Sequence, residues 1–266
     1  HATGVQTCAL PISQSQSIDL TVLVPVYNEA GNLARLTAEI LSAYGEPGAA
    51  VRYEILFVDD GSDEATKGEL AQVLRDNRSV RVLRHARRSG KSRALVTGFV
   101  GARGAWIQTL DGDLQNDPKD GARLWRDLHK PAPSATLGIV AGVRKRRNDG
   151  IVKFFSSRIA NGVRRRLLSD NAVDTGCGFK LIRAEAARML PYFDGMHRFL
   201  PALVNRAGYE LMQTPVEDRP RIAGVSKYGF FGRLTAGLFD LFGVLWLIRR
   251  SSRISSAMLV SEIERT

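Results

Sequence analysis

Short apolar runs alternate with amphipathic segments along the first half of the chain, and this alternation limits the possible folds more than any other feature of the sequence. The apolar runs have the length of strands, whereas the longer segments repeat their apolar residues at helical spacing. Strands that alternate with helices form a mostly parallel sheet covered on both faces, so we predict an α/β fold. The predicted strands span residues 17–26, 53–58, 80–85, 105–110 and 137–143, and the predicted helices span 28–43, 64–75, 90–102, 118–129 and 151–168.

Clusters of polar residues follow the first four predicted strands. Ligands of open parallel sheets bind in the crevice outside the carboxyl ends of the strands. The coincidence of polar clusters with strand ends therefore indicates a binding site along one edge of the sheet. The clusters are residues 27–29, 59–62, 89–92 and 111–113.

The fourth cluster contains two carboxylates one residue apart, Asp111 and Asp113, with the amide of Gln115 two residues further on. Alternate residues at an extended strand end point the same way, so these three side chains can present oxygen atoms to one hard cation. Mg²⁺ and similar ions commonly bridge protein carboxylates and substrate phosphates. The same residue types also form turns and helix N-caps, and Asp117 followed by Pro118 is suited to begin a helix. The pattern alone leaves both interpretations open.

The chain is basic, with 38 Lys and Arg residues against 27 Asp and Glu residues, a formal net charge of +11 and a pI near 10.1. This balance indicates an anionic partner, which can be a phosphorylated substrate, an acidic lipid surface or a nucleic acid. The sequence has no recognisable helix-turn-helix, zinc-finger or RNA-binding motif, so we expect no nucleic-acid partner. Two cysteines do not make a disulfide framework, and four histidines without metal spacing argue against zinc.

Several motifs occur in a defined order along the chain: VPVYNE (24–29), VDDGS (58–62), GKS (90–92) with Gly98, DGDLQ (111–115), DTGCGFK (174–180), HRF (197–199) and SKY (226–228). Together they resemble glycosyltransferase family 2, in particular the branch that glycosylates polyprenyl phosphates. That branch includes dolichol-phosphate mannose synthases and bacterial undecaprenyl-phosphate glycosyltransferases. The resemblance covers about Thr21 to Arg250. It implies a GT-A fold, a Rossmann-like nucleotide-sugar-binding domain, and a metal-dependent hexosyltransferase.

The resemblance implies a donor site for a UDP- or GDP-sugar. Asp113 and Gln115 are expected to hold Mg²⁺ or Mn²⁺, while Asp111 helps to place the ribose or the metal. Two expected donor residues have structural alternatives, because Asp60 can cap the helix after Gly61 and Lys91 can be a solvated surface lysine. The residues expected to contact the nucleotide sugar are Pro25, Tyr27, Glu29, Asp59, Asp60, Lys91, Asp111 and Lys227.

The resemblance also implies an acceptor site for a polyprenyl phosphate, with inversion at the anomeric carbon. A phosphate monoester is already mostly ionised near neutral pH, so it needs positioning and charge compensation rather than a strong general base. Arg144 and Arg158 match the family's phosphate-binding positions, and Lys153 stands where relatives often carry another arginine. We expect Arg144 and Arg158 to join Asp111 and Asp113 as catalytic residues. The other residues expected at the acceptor are Ser157, Asp174 and His197.

Three segments are expected: a non-native or disordered N-terminus at 1–16, a catalytic domain at 17–229, and an interfacial helix with a tail at 230–266. No stretch reaches the roughly 20 uninterrupted apolar residues that span a bilayer. The segment 230–248 suits a membrane interface, and a core helix packed on the sheet is the alternative. We therefore expect a peripheral protein at the inner face of the cell membrane, in contact with anionic lipid. Two other functions stay open, sugar transfer to a saccharide hydroxyl and nucleic-acid binding.

Overall fold

The computed structural model describes residues 17–45, 51–130, 132–145, 162, 164, 166–168, 170–219 and 230–250. These residues contain a seven-stranded sheet in the order β3-β2-β1-β4-β6-β5-β7. β6 runs antiparallel to its neighbours β4 and β5, and the other neighbouring strands are parallel. The strands are β1 Leu20–Val26, β2 Tyr53–Asp59, β3 Val80–Arg84, β4 Trp106–Thr109, β5 Leu137–Arg144, β6 Lys180–Arg183 and β7 Glu210–Val216.

Helices cover both faces of the sheet, which confirms the predicted α/β fold. On one face α1, α2 and α4 bury their apolar residues against the sheet, and on the other α3, α5, α6 and α7 do so. The helices are α1 Leu33–Gly45, α2 Glu64–Asp76, α3 Lys91–Gly101, α4 Pro118–His129, α5 Ala184–Arg188, α6 Leu200–Arg206 and α7 Phe230–Arg250. A 3-10 turn spans Met196–Arg198. Among the described helices, none is both long and apolar enough to cross a membrane.

The first helix begins five residues later than the sequence pattern predicts. Asn28 has a φ of 54° and Gly31 a φ of 87°, and both values lie in the left-handed region. The chain therefore turns through residues 28–32 before α1 begins at Leu33, and this turn holds Glu29 at the edge of the sheet.

β6 and β7 were not predicted. β6 is four residues long and begins with a lysine, and periodicity cannot assign such a short apolar segment to a strand or a helix. Only the end of the predicted helix 151–168 falls within the described residues, and Arg166, Leu167 and Leu168 are helical there. The predicted three-segment division of the chain stays a prediction.

Helix α3 packs closely on β1 because residue 98 is a glycine. A Cβ built at Gly98 would overlap the side chain of Leu23, which is fully buried in β1. This close contact fixes α3 on the sheet, so that its first residue, Lys91, lies at the carboxyl edge of the parallel strands.

Candidate functional site

The polar clusters of the first four strands meet at one edge of the sheet. β5 and β7 end at the same edge because they run in the direction of β4. β6 runs in the opposite direction, so its first residue, Lys180, and the preceding loop 174–179 also reach this edge. The edge therefore collects the acidic loop after β4, Arg144 at the end of β5, and the 174–180 segment.

The acidic loop holds its two carboxylates in a tight turn. Leu114 has a φ of 64°, and the backbone N–H of Gln115 donates to Asp113 Oδ1 at 3.2 Å. The backbone N–H of Asp111 donates to Asn116 Oδ1 at 3.3 Å. Asp117, rather than either of the paired carboxylates, caps α4 by accepting from the N–H of residue 119 at 3.0 Å. Asp111 and Asp113 are thus not consumed by capping the helix.

Residues 217–219, which follow β7, tie the acidic loop to the rest of the domain. The backbone N–H of Arg219 donates to the carbonyl of Gln115 at 2.9 Å, and its guanidinium lies 2.6 Å from both Glu39 and Asp117. Asp218 forms an antiparallel bridge with residue 116. Residues 217–219, which belong to neither the loop nor the sheet, therefore hold the acidic loop in place.

Lys91 pairs with the first carboxylate of this loop. Its ammonium lies 2.5 Å from Asp111 Oδ1. Burial raises the pKa of Asp111, but the charge and the hydrogen bond of Lys91, with a smaller contribution from the Lys180 charge, outweigh it and leave the pKa below its usual value. A Cβ built at Gly178 would overlap the Asp111 carboxylate, so the carboxylate lies directly against the loop before β6. Lys91 is exposed and pairs with the acidic loop, and its contact to a nucleotide sugar stays a prediction.

The carboxylates of the acidic loop suit a divalent cation that also binds substrate phosphate. Within the described residues, no group of three or more His, Cys, Asp or Glu side chains could hold a metal ion. Mg²⁺ typically uses one or two carboxylates and completes its shell with water and substrate phosphates. Asp111 and Asp113, with the second 8 % exposed, supply two such carboxylates beside a cationic group, so the chemistry fits. The role of Gln115 as a third ligand stays a prediction.

Asp59 and Asp60 have partners within the protein. Asp59 is fully buried, and its Oδ2 accepts from Arg84 Nε at 2.7 Å. Asp60 accepts from the backbone N–H groups of Ser89 at 2.8 Å and Gly90 at 2.7 Å. The N-cap of α2 is Asp63, so the alternative that Asp60 caps this helix is wrong.

Asp60 instead shapes the loop that leads into α3. It is also 2.8 Å from His85 Nδ1, whose Nε2 is 2.9 Å from Thr97 Oγ1 on α3. Backbone N–H groups at a helix N-terminus favour phosphate, and the Asp60 contacts fix the loop that presents this end of α3. Direct contacts of Asp59 or Asp60 to a nucleotide stay predictions.

Residues of the VPVYNE motif (24–29) border the acidic loop. A Cβ built at Gly112 would lie 3.4 Å from Glu29 Cγ and 3.7 Å from the carbonyl oxygen of Pro25. The Arg88 guanidinium lies over the ring of Tyr27, 4.4 Å from its centroid. Pro25, Tyr27 and Glu29 therefore lie in one neighbourhood with the acidic loop, and the arginine was not predicted there.

His197 lies beside the N-terminus of α3. Its Nδ1 is 2.9 Å from Ser92 Oγ, which also accepts from the backbone N–H of Gly195 at 3.0 Å. Burial, with the nearby charges of Lys91 and Arg198, lowers the pKa of His197 to about 3. The ring is therefore neutral at physiological pH and contributes hydrogen bonds rather than charge.

Arg144 and Asp174, both predicted at the acceptor, form an ion pair. Arg144 Nε donates to Asp174 Oδ2 at 2.7 Å, and Nη2 donates to Oδ1 at 3.0 Å. The hydrogen bond to Asp174 is the main reason that the pKa of Arg144 lies above its usual value. Arg144 Nη1 is 3.9 Å from Asp218, the residue that bridges to the acidic loop. The arginine is thus fixed in orientation next to the segment that supports Asp111 and Asp113.

Sequence reasoning assigned no role to Lys180, although it is a buried cation at this edge. The side chain is 3 % exposed and donates to the carbonyl of Cys177. A lysine inside the apolar run that ends in Leu181 and Ile182 is the signal that could have identified it. Four predicted site residues, Lys153, Ser157, Arg158 and Lys227, lie outside the described residues.

Comparison with known proteins places the chain among sugar transferases. The family described as Glycosyl transferase family 2 matches residues 21–190. The dodecaprenyl-phosphate galacturonate synthase of Rhizobium johnstonii is 33% identical over 262 residues, which cover 94% of this chain and 74% of that protein. The undecaprenyl-phosphate 4-deoxy-4-formamido-L-arabinose transferase of Edwardsiella ictaluri is 31% identical over 228 residues, which cover 84% of this chain and 66% of that protein.

Two solved structures share the fold at low identity. The mannosyltransferase of Pyrobaculum calidifontis, in complex with GDP-Man and Mn²⁺, has a TM-score of 0.63 and 20% identity, and the match covers 90% of this chain and 66% of that one. The glucosyl-3-phosphoglycerate synthase of Mycobacterium tuberculosis, in complex with Mn²⁺, UDP and phosphoglyceric acid, has a TM-score of 0.64 and 17% identity, with 89% and 80% covered.

Proposed function

Because the chain belongs to glycosyl transferase family 2, we propose that it transfers a sugar from a nucleotide diphosphate sugar to a polyprenyl phosphate. The observation that carries this proposal is the proximity of two groups at one edge of the sheet. The acidic loop with Asp111 and Asp113 is linked to the Arg144–Asp174 pair through Asp218. The two relatives named above act on dodecaprenyl or undecaprenyl phosphate according to their names, which supports the same acceptor class.

The donor half lies between the acidic loop and α3. Asp111 and Asp113 would hold a Mg²⁺ or Mn²⁺ ion, which when bound neutralises charge on the diphosphate of the donor. Lys91 adds an ammonium at the N-terminus of α3, where backbone N–H groups also favour phosphate. The neighbourhood of Pro25, Tyr27 and Glu29 would receive the nucleoside, with UDP and GDP as the two candidate nucleotides.

The acceptor half is built around Arg144. A lipid phosphate is already a nucleophile, so the site needs a cation of fixed orientation and no general base. Asp174 provides that orientation because its two carboxylate oxygens accept from Nε and Nη2 along one edge of the guanidinium. We assign Arg158, Lys153 and Ser157 to the same half by the family resemblance. One phosphate oxygen then attacks the anomeric carbon from the side opposite the diphosphate, which inverts that carbon.

A pattern on α7 supports attachment to the inner face of the membrane. Leu241 and Val244 are buried against the sheet layer, whereas Phe239, Phe242 and Trp246 are 79 %, 62 % and 58 % exposed. Apolar side chains on one face before a basic helix end suit a bilayer interface with anionic lipid. The helix thus packs on the domain with one face and is free to contact lipid with the other, which combines the two roles considered for it.

The lipid contact is tested by vesicle sedimentation. Phe242→Ser combined with Trp246→Ser should reduce binding to vesicles that contain anionic lipid. Leu74→Ser, which alters an exposed apolar residue on α2, serves as the matched control and should bind as the wild type does. Equal binding of all three proteins would refute the assignment of α7 to the interface.

The acceptor class is tested by direct transfer. The wild-type protein with Mn²⁺ is incubated with labelled UDP- and GDP-sugars and with one of three acceptors, a short-chain polyprenyl phosphate, the same polyprenol without phosphate, or a free saccharide. We expect labelled lipid only with the phosphorylated acceptor. Transfer to the saccharide, with none to the polyprenyl phosphate, would overturn the proposal in favour of a saccharide hydroxyl acceptor.

A further inference from the structure

Lys180 is a buried cation with few partners. It opens β6, the strand that lies between β4 and β5, and only 3 % of the residue is exposed. An ammonium has three donors, and removing it from water is costly unless they are satisfied. Among the described residues, the carbonyl of Cys177 is the acceptor that it reaches, and no carboxylate forms an ion pair with it. Two donors are therefore available for an anion that comes from outside this part of the chain.

The position of Lys180 places these donors beneath the cleft. In the sheet Lys180 lies opposite Thr109 of β4 and Ala141 of β5. Thr109 is two residues before Asp111, and Ala141 is three residues before Arg144. Lys180 thus lies in the sheet between the strand that leads to the acidic loop and the strand that leads to the acceptor arginine.

The loop that precedes Lys180 places it on the donor side, because a Cβ built at Gly178, two residues earlier, would overlap the Asp111 carboxylate. Burial lowers the pKa of Lys180 to about 8, which leaves the charged form predominant at neutral pH. Lys180 also contributes to the lowered pKa of His197, which borders the N-terminus of α3. Lys91, which pairs with Asp111, and Lys180, two residues after Gly178, therefore lie on the same side of the cleft as the Asp111 carboxylate.

We propose that the Lys180 ammonium binds the β-phosphate of the nucleotide donor, a contact that rests on the proposed function. During transfer a bond forms between the acceptor phosphate oxygen and the anomeric carbon, and the bond from that carbon to the β-phosphate oxygen breaks. The electron pair of the broken bond remains on the β-phosphate, whose negative charge increases. A fixed ammonium in a buried position stabilises this charge without reorganisation.

The test compares nucleotides that differ only in the β-phosphate. Binding of UDP and UMP, and of GDP and GMP, is measured with Mn²⁺ for the wild type and for Lys180→Met. We expect the affinity for the diphosphate to fall about tenfold or more, since a hydrogen bond to a charged group is lost, while the affinity for the monophosphate is unchanged. A lysine that only supports the fold would change both affinities or neither. An unchanged ratio of the two affinities would overturn the inference.

Two further variants keep the result interpretable. Lys180→Gln retains a donor for the Cys177 carbonyl without the charge, and it replaces Lys180→Met if that protein fails to fold. Lys67→Met, at a surface lysine of α2 that pairs with Glu64, should leave both affinities unchanged. If the wild type binds neither UDP nor GDP, the proposed function fails together with this inference. If the wild type binds one of them and the Lys180 variants show the same ratio of diphosphate to monophosphate affinity, the inference alone fails.

Discussion

Replacement of Gly178 by alanine is a sharp test of the acidic loop, because it changes one carbon atom. An alanine Cβ at this position would lie 2.5 Å from Asp111 Cγ and 2.8 Å from its Oδ1. Carbon atoms of real side chains almost never approach below 3.0 Å, so the carboxylate has to move. The φ of Gly178 lies outside the left-handed region, so the backbone itself accepts alanine without strain.

The expected size of the effect follows from this displacement. A shift approaching 1 Å in a group that positions the reaction costs about 100-fold in rate, or ~2.7 kcal/mol of transition-state stabilisation. We expect Gly178→Ala to reduce kcat/KM for sugar transfer by about this factor, because Asp111 leaves both Lys91 and the position proposed for the metal. The fold should persist, since the clash is with a side chain at the edge of the site.

The assay measures sugar transfer to polyprenyl phosphate together with thermal unfolding. Gly68→Ala is the control, because a Cβ at this position in α2 meets no atom within 4 Å. Alanine is favoured over glycine in a helix by about 0.5–1 kcal/mol, so this variant should be fully active and slightly more stable. A folded Gly178→Ala protein with wild-type kcat/KM would show that the position of Asp111 does not matter for the reaction.

Three further predictions concern other parts of the site. Arg144→Ala should raise the KM for the lipid phosphate by more than the KM for the donor, and equal increases in a two-substrate kinetic analysis would contradict its place at the acceptor. Asp60→Asn should destabilise the protein by about 1–3 kcal/mol in urea unfolding, because the amide offers one acceptor where two backbone N–H groups need one each; Asp127→Asn, at an exposed position of α4, should have no such effect. The pKa of His197 in the folded protein is about 3, whereas a histidine in the unfolded chain has a pKa near ~6.5. The unfolded chain therefore binds more protons than the folded protein between these two values, and the free energy of unfolding falls as the pH falls through this range. Between pH 7.5 and pH 5 the wild type should therefore lose up to ~2 kcal/mol more stability than His197→Gln, and parallel pH profiles of the two proteins would refute the neutral state.

Local sequence patterns were sufficient to predict much of this architecture. The alternation of strands and helices predicted the α/β fold, and the motifs predicted the family, both of which are confirmed. The acidic loop was located because a strand that ends in Asp111 and Asp113 has a recognisable local signature. These features depend on residues close together in the sequence, where periodicity and spacing carry the information.

The features that escaped prediction depend on contacts between distant residues. Three aspartates occur within residues 59–63; Asp63 caps the helix, whereas Asp60 contacts a loop about thirty residues away. Likewise, the pairing of Arg144 with Asp174 joins residues thirty positions apart. The position of Lys180 at the carboxyl edge of the parallel strands follows from the reversed direction of β6, which no local pattern encodes.

The contacts of residues 217–219 have a consequence for where the domain can be shortened. All seven strands of the described sheet precede residue 217, so a protein that ended at Val216 would contain every strand but would lose α7, whose Leu241 and Val244 are buried. It would also lose the Arg219 contacts that hold the turn at Gln115 against its neighbours. The stretch that follows β7 therefore helps to keep the acidic turn in shape although it adds no strand to the sheet.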